Sequence, residues 1–178
     1  MTSAQLINQT SGKTEYYTPP AIVLAAQRLL GEIDLDPASS EKANATIQAR
    51  RIYSERGLEK PWAGRVWLNH PFSREGNPLW MRKLFCEFNH DHVTEALCIT
   101  FAATSEQWFK PLLYHPQCFL VPRTNYLLPD GGVLKGVTKG SVVTFLTRGG
   151  PRRHAEFARV FEHLGVIKIG ILNSASRL

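Results

Sequence analysis

The run Ala96-Leu97-Cys98-Ile99-Thr100-Phe101 constrains this chain most. It is almost wholly apolar and far too short to cross a bilayer as a helix. A strand of this kind needs cover on both faces, which places it centrally in a sheet with helices on either side. The surrounding sequence supplies those helices. Residues 21–30 are apolar on most faces, open on Thr18-Pro19-Pro20 and stop at Gly31, so Thr18 is expected to cap a helix whose first turn the prolines begin. Residues 41–51 read as a helix capped by Ser39 or Ser40. Residues 77–88 carry Leu79, Trp80, Leu84, Phe85 and Phe88 on one stripe, with Asn77 as cap and Pro78 at the first position. Ser105 to Leu113 reads as a helix capped by Ser105, and Pro151 to Leu164 as one that turns Phe157, Val160, Phe161 and Leu164 inward.

Between these lie short strands: Ile33-Asp34-Leu35-Asp36, alternating and ended by Pro37; Arg65 to Leu68; Cys118 to Val121; Tyr126 to Leu128; Ser141 to Leu146; and Val166 to Ile169. Residues 52–64 look irregular, and residues 122–140 are a Gly-, Pro- and Lys-rich connection with a turn at Pro129-Asp130-Gly131-Gly132. Strands alternating with helices predict an α/β sandwich with a largely parallel sheet, in one domain over residues 15–178 after a loose tail at 1–14. Ligands of such sheets bind at the carboxyl ends of the strands. Asp36 and Asn69 both sit where a strand runs into a proline turn, so they are expected on one rim.

Composition narrows the function classes. The N-terminal residues lack a basic start followed by an apolar core, which argues against a secretory signal. Cys86, Cys98 and Cys118 are widely spaced among apolar residues and read as small buried hydrophobes of a reducing cytoplasm. No Cys-x-x-Cys occurs and the histidines never pair at helical ligand spacing, so no metal site is expected; His90-Asp91-His92 reads as a solvated loop. Trp62 and Trp67 read as core. The net charge of +6 favours a polyanionic partner.

The most specific stretch is Val66-Trp67-Leu68-Asn69-His70-Pro71-Phe72-Ser73-Arg74, a buried strand that ends in a stiff polar turn with an exposed aromatic. Together with Tyr17-Thr18-Pro19-Pro20 and Asp34-Leu35-Asp36-Pro37-Ala38-Ser39, in this order and spacing, it resembles the phage-type DNA N6-adenine methyltransferases over residues 15–147. The resemblance implies a Rossmann-like methyltransferase fold, S-adenosylmethionine as cofactor, double-stranded DNA as partner, and the cytoplasm of a bacterial host as location. It implies that Asn69 and the carbonyl of His70 accept the two hydrogens of an exocyclic amine, with Pro71 shaping the turn and Phe72 stacking on a flipped-out base. Tyr17, Thr18, Pro19, Asp36, Pro37 and Ala38 would line the cofactor pocket, Asp36 holding the ammonium of its methionine part. No ribose-binding acid is evident at a strand end. Ser73, Arg74, Arg123, Lys135 and Lys139 are the candidates for nucleic acid, Lys and Arg among them through phosphates.

The family has proline at both central positions of its motif, whereas this chain has His70 at the first. Pro71 still biases His70 toward an extended backbone, and the His70 side chain reads as a tolerated substitution. A non-catalytic nucleic-acid-binding module and a cytosine-N4 methyltransferase are the alternatives the residues leave open. Monomer and homodimer are equally compatible with the sequence.

Overall fold

The computed structural model describes residues 16–128, 132–133 and 139–169. Seven strands form one mixed sheet: β1 (Leu35–Asp36), β2 (Arg51–Ile52), β3 (Gly64–Leu68), β4 (Val93–Phe101), β5 (Gln117–Leu120), β6 (Ser141–Thr147) and β7 (Gly165–Lys168), in the order β2-β1-β3-β4-β6-β5-β7. Four α-helices occur among the described residues: α1 (Pro20–Leu30), α2 (Glu41–Ile47), α3 (Gly76–Asn89) and α4 (Gly150–Phe161).

The expected α/β class holds, but the sheet is less parallel than the sequence implies. β2-β1, β1-β3 and β3-β4 pair parallel, whereas β4-β6, β6-β5 and β5-β7 pair antiparallel. β6 inserts between β4 and β5 against the direction of both. Its residues are buried on both faces, and so are most of those of β4. An apolar run covered on both sides reads the same in either direction, so its sequence did not report the reversal.

Side chains alternate across the sheet and divide the core in two. Trp67, Leu97, Ile99, Val143 and Phe145 pack with α1 and α4 on one face; Val66, Leu68, Ala96, Cys98, Val142 and Leu146 pack with α3 on the other. Phe157, Val160 and Phe161 of α4 are buried as the periodicity demands, and Leu164 packs partly buried against them. Trp62 and Trp67 are core residues.

Several local expectations are corrected. Helix α2 stops at Ile47 because Gln48 turns left-handed and Asn44 folds back, its Oδ1 accepting from Ala49 N and its Nδ2 donating to Ala49 O. That releases Arg51–Ile52 to pair with β1, where the sequence suggested the end of a helix and then irregular chain. Ser40 caps α2 by accepting from Ala43 N. Thr18 caps nothing, since Pro19 holds the cap position of α1 without a side-chain bond. Asn77 lies inside α3, and the cap is made from outside: Ser73 Oγ accepts from Gly76 N, while Asn77 Oδ1 accepts from Ser73 N. Residues 105–113 form successive tight turns ending in a 3-10 helix at Lys110–Tyr114, because Pro111 lacks the N–H that an α-helix needs there. Tyr126–Leu128 is not a strand; Leu127 makes isolated bridges to Tyr17 and Val133. Leu79 and Cys86 of α3 face solvent, and Met81 takes the buried place that the stripe gave to Leu79. The tail at 1–14, most of the turn at 129–132, and Lys135 lie outside the described residues. No described helix is long and apolar enough to cross a membrane.

Candidate functional site

Strands β2, β1 and β3 are adjacent and parallel, so their carboxyl ends share one edge. The chain leaves β1 through Asp36-Pro37-Ala38, β2 through Tyr53 to Gly57, and β3 through Asn69-His70-Pro71-Phe72. These three exits, together with Tyr16-Tyr17-Thr18, surround a partly open cavity of about 680 Å³. That is within the size range of small-molecule sites. It brings together Tyr17, Thr18, Asp36, Pro37, Ala38, Asn69, His70, Pro71 and Phe72, which the sequence had singled out. Pro19 is not part of the lining; its carbonyl accepts from Ile22 N and Val23 N at the start of α1.

Asn69 is fixed by a bond that the sequence did not reveal. Its Nδ2 donates to the backbone carbonyl of Tyr16 at 2.8 Å. A carbonyl only accepts, so the amide nitrogen must face Tyr16 and Oδ1 must face away from it. The backbone carbonyl of His70 accepts from no donor among the described residues. Adjacent residues thus present two open acceptors, one amide and one peptide oxygen.

The His70 side chain is buried, 2 % exposed. Its Nδ1 lies 3.0 Å from the Pro71 carbonyl, so Nδ1 carries the hydrogen. The ring meets Phe72 edge-on at 5.3 Å and lies nearly parallel to Trp80 at 6.1 Å. Burial pushes the His70 imidazole down to about 4, although the Pro71 bond acts the other way, so the ring is neutral at pH 7.

Phe72 departs furthest from its expected place. It is buried, not exposed, and packs on Phe101 at 4.5 Å and on Tyr126 at 5.8 Å. It therefore braces the turn from the core, and only its cavity-facing side borders the space next to Asn69. The reason is the position of β4: Phe101 ends that central strand directly beside the turn and offers an apolar surface.

Asp36 is almost wholly buried, and burial raises its carboxyl to about 7, with the Ala38 N–H and the Ser39 hydroxyl opposing the shift. Its Oδ1 accepts from Ala38 N at 3.1 Å, which shapes the Asp-Pro-Ala turn. Gly57 locks the neighbouring loop onto that turn. A Cβ there would stand 1.9 Å from the Pro37 carbonyl oxygen, and the Gly57 carbonyl accepts from Trp62 Nε1.

Thr18 Oγ1, Trp67 Nε1 and His70 Nε2 are buried without a hydrogen-bond partner, and all three residues line the cavity. Buried polar atoms are normally paired, and their concentration here marks a wall suited to a polar ligand. Thr100 Oγ1, in β4, is a further such atom away from it.

Sequence reasoning missed Tyr16, whose carbonyl orients Asn69, and Glu55. Glu55 is exposed at the cavity edge just beyond β2. That is where a carboxylate takes ribose hydroxyls in dinucleotide-binding sheets, about 20 residues after the first turn. A two-residue strand was too short to announce it.

The nucleic-acid candidates are more scattered. Ser73 is engaged in the cap of α3, and Arg74 beside it is exposed. Lys139 is exposed with its Nζ 5.7 Å from the centre of the Phe101 ring, which puts it near Phe72. Arg123 is exposed in the connection after β5. None of these four lines the cavity. Much of the basic excess elsewhere is paired: Arg50 with Glu32, Arg65 with Asp34, Lys83 with Glu87, and Arg153 with Glu95 and Glu156. Among the described residues no cluster of three metal-ligating side chains occurs. In comparisons with known proteins, no family model and no curated sequence matches the chain.

Proposed function

We propose that this protein is a DNA adenine-N6 methyltransferase that uses S-adenosylmethionine on a Rossmann-like sheet. The observation that carries the proposal is the orientation of Asn69. With Nδ2 committed to the Tyr16 carbonyl, Oδ1 is left as an acceptor beside the open carbonyl of His70. Two acceptors in this relation suit an exocyclic amine, which has two hydrogens to give. The nitrogen lone pair of such an amine is delocalised into the base. Accepting both hydrogens draws the nitrogen toward tetrahedral geometry and localises that pair. Placement then does most of the catalytic work.

The cavity residues fit the cofactor chemically. S-Adenosylmethionine supplies a methyl group on a sulfonium centre. Asp36 would hold the ammonium of its methionine part, Glu55 the ribose hydroxyls, and the unpaired Thr18 hydroxyl a further polar atom. An ammonium beside Asp36 would draw its carboxyl back toward the ionised form. Lys139, Arg74 and Arg123 would meet DNA phosphates.

The test is methyl transfer from labelled S-adenosylmethionine to double-stranded DNA, followed by nucleoside analysis. N6-methyladenine is the expected product, with label lost in Asn69→Ala. Label on cytosine N4 would move the substrate to the other base, and no label in the wild-type protein would overturn the proposal.

A further inference from the structure

The side chain of His70 has no role in that scheme, which uses only its carbonyl. Its geometry gives it one. The Nδ1···O contact to Pro71 closes a ring of atoms that runs through Cβ and Cα of His70, the His70–Pro71 peptide, and Cα and the carbonyl of Pro71. Inside that ring lie ψ of residue 70 and φ and ψ of residue 71; the first two orient the peptide that carries the His70 carbonyl. The pyrrolidine already fixes the second. The imidazole bond restricts the first by tying it to the direction of the Pro71 carbonyl, and the packing of the ring against Phe72 and Trp80 keeps the imidazole from rotating away. Nε2 meets no partner in its buried setting, where a second N–H would be left unpaired.

We infer that His70 is a positioning residue: as a neutral Nδ1–H imidazole it locks the Asn69–Phe72 turn and so holds its own backbone carbonyl, beside Asn69 Oδ1, on the amine that is to be methylated. The inference rests on the amine-methylating reading of the cavity. It separates this side chain from a filler of core space, which would need only the same bulk.

The experiment compares three variants with the wild-type protein. His70→Phe keeps the bulk and the aromatic contacts but loses the donor. It is expected to lower kcat by about tenfold or more, the scale of a misplaced reactant, while KM for S-adenosylmethionine is unchanged. His70→Asn keeps a short donor that reaches the Pro71 carbonyl and is expected to retain most of the wild-type kcat. His70→Pro fixes φ of residue 70 but neither ψ nor the donor, and is expected to lower kcat as His70→Phe does. Wild-type kcat in His70→Phe, or equal losses in His70→Phe and His70→Asn, would overturn the lock. A readout independent of methyl transfer accompanies them: the imidazole 15N spectrum at pH 7, with His70 assigned by its disappearance in His70→Asn. A neutral ring protonated at Nδ1 is expected, and protonation at Nε2 alone would overturn the inference even if the enzyme is active. A wild-type protein that transfers no methyl group but shows the Nδ1–H ring would defeat the proposed function and leave the lock standing.

Discussion

The amide of Asn69 is held by the backbone carbonyl of Tyr16, 53 positions earlier in the chain. The segment ahead of α1 therefore sets the direction in which the β3 turn presents its acceptor. Tyr17 anchors that segment in turn, through paired backbone bonds with Leu127 at 2.8 and 2.9 Å.

Asn69→Ala is expected to cut methyl transfer by roughly a hundredfold or more, the usual cost of losing one preorganised polar group at a reacting centre. Thermal stabilisation by S-adenosylmethionine should persist. Asn69→Asp is a stricter probe, because it replaces the donor to Tyr16 with an acceptor and sets two oxygens against each other. It should lose activity although one acceptor atom is retained; full activity would show that the Tyr16 bond has no orienting role.

The proposed ammonium contact of Asp36 would make cofactor binding depend on pH. Its carboxyl is raised to about 7 in the fold, above its ordinary value of 3.8. Between these two pH values the folded apo protein holds a proton that the unfolded chain has released. Asp36 therefore lowers apo stability as pH rises through that window, and the cost is complete above about 7. An ammonium ligand needs the ionised form. Affinity for S-adenosylmethionine is expected to fall as pH drops below 7, and Asp36→Asn to raise the apo melting temperature at pH 8 while weakening the cofactor. Calorimetric titration at pH 6 and 8 checks the affinity, and a thermal scan at pH 8 the stability; pH-independent affinity would remove Asp36 from the ammonium site.

His115 makes the opposite contribution. It is half-buried against Phe85 and Phe88, and that burial, with His154 and Lys168 nearby, lowers it to about 4. A histidine depressed in this way stabilises the fold fully above its ordinary value of 6.5, and that contribution is lost as pH falls toward 4. Urea midpoints are expected to drop between pH 7 and 5, and the drop should shrink in His115→Gln. An identical slope in the variant would assign the acid sensitivity to other groups, His70 first among them.

Gly57→Ala tests the wall of the cavity. The new Cβ would lie 1.9 Å from a backbone oxygen of Pro37, so the loop or the turn has to move. A loss of about 1–3 kcal/mol in stability is expected, with weakened cofactor binding. Gly140→Ala, where nothing lies within 4 Å, serves as the control. Equal behaviour of the two would show that the loop gives way without cost.

Lys139 should act through charge alone. Lys139→Ala is expected to weaken DNA binding evenly across sequences and to reduce the salt slope of binding by about one, with cofactor affinity unchanged. Sequence-selective loss would mean that it reads bases.

The sequence alone determined which turns would meet. Asp36 and Asn69 each follow an apolar strand and precede a proline, and strand direction carried both to one edge. Periodicity likewise placed Phe157, Val160 and Phe161 in the core. Tertiary structure decided what short-range pattern does not encode. β6 runs against its neighbours, a direction its sequence does not encode because a strand buried on both faces can pair either way. Arg51–Ile52 becomes a strand because Asn44 ends α2 early. Phe72 turns inward because Phe101 stands beside it, and Asn69 keeps its oxygen free as an acceptor because Tyr16 takes its nitrogen. A side chain's residue type limits the bonds it can make, but which partner lies within 3 Å is set only when distant segments pack together.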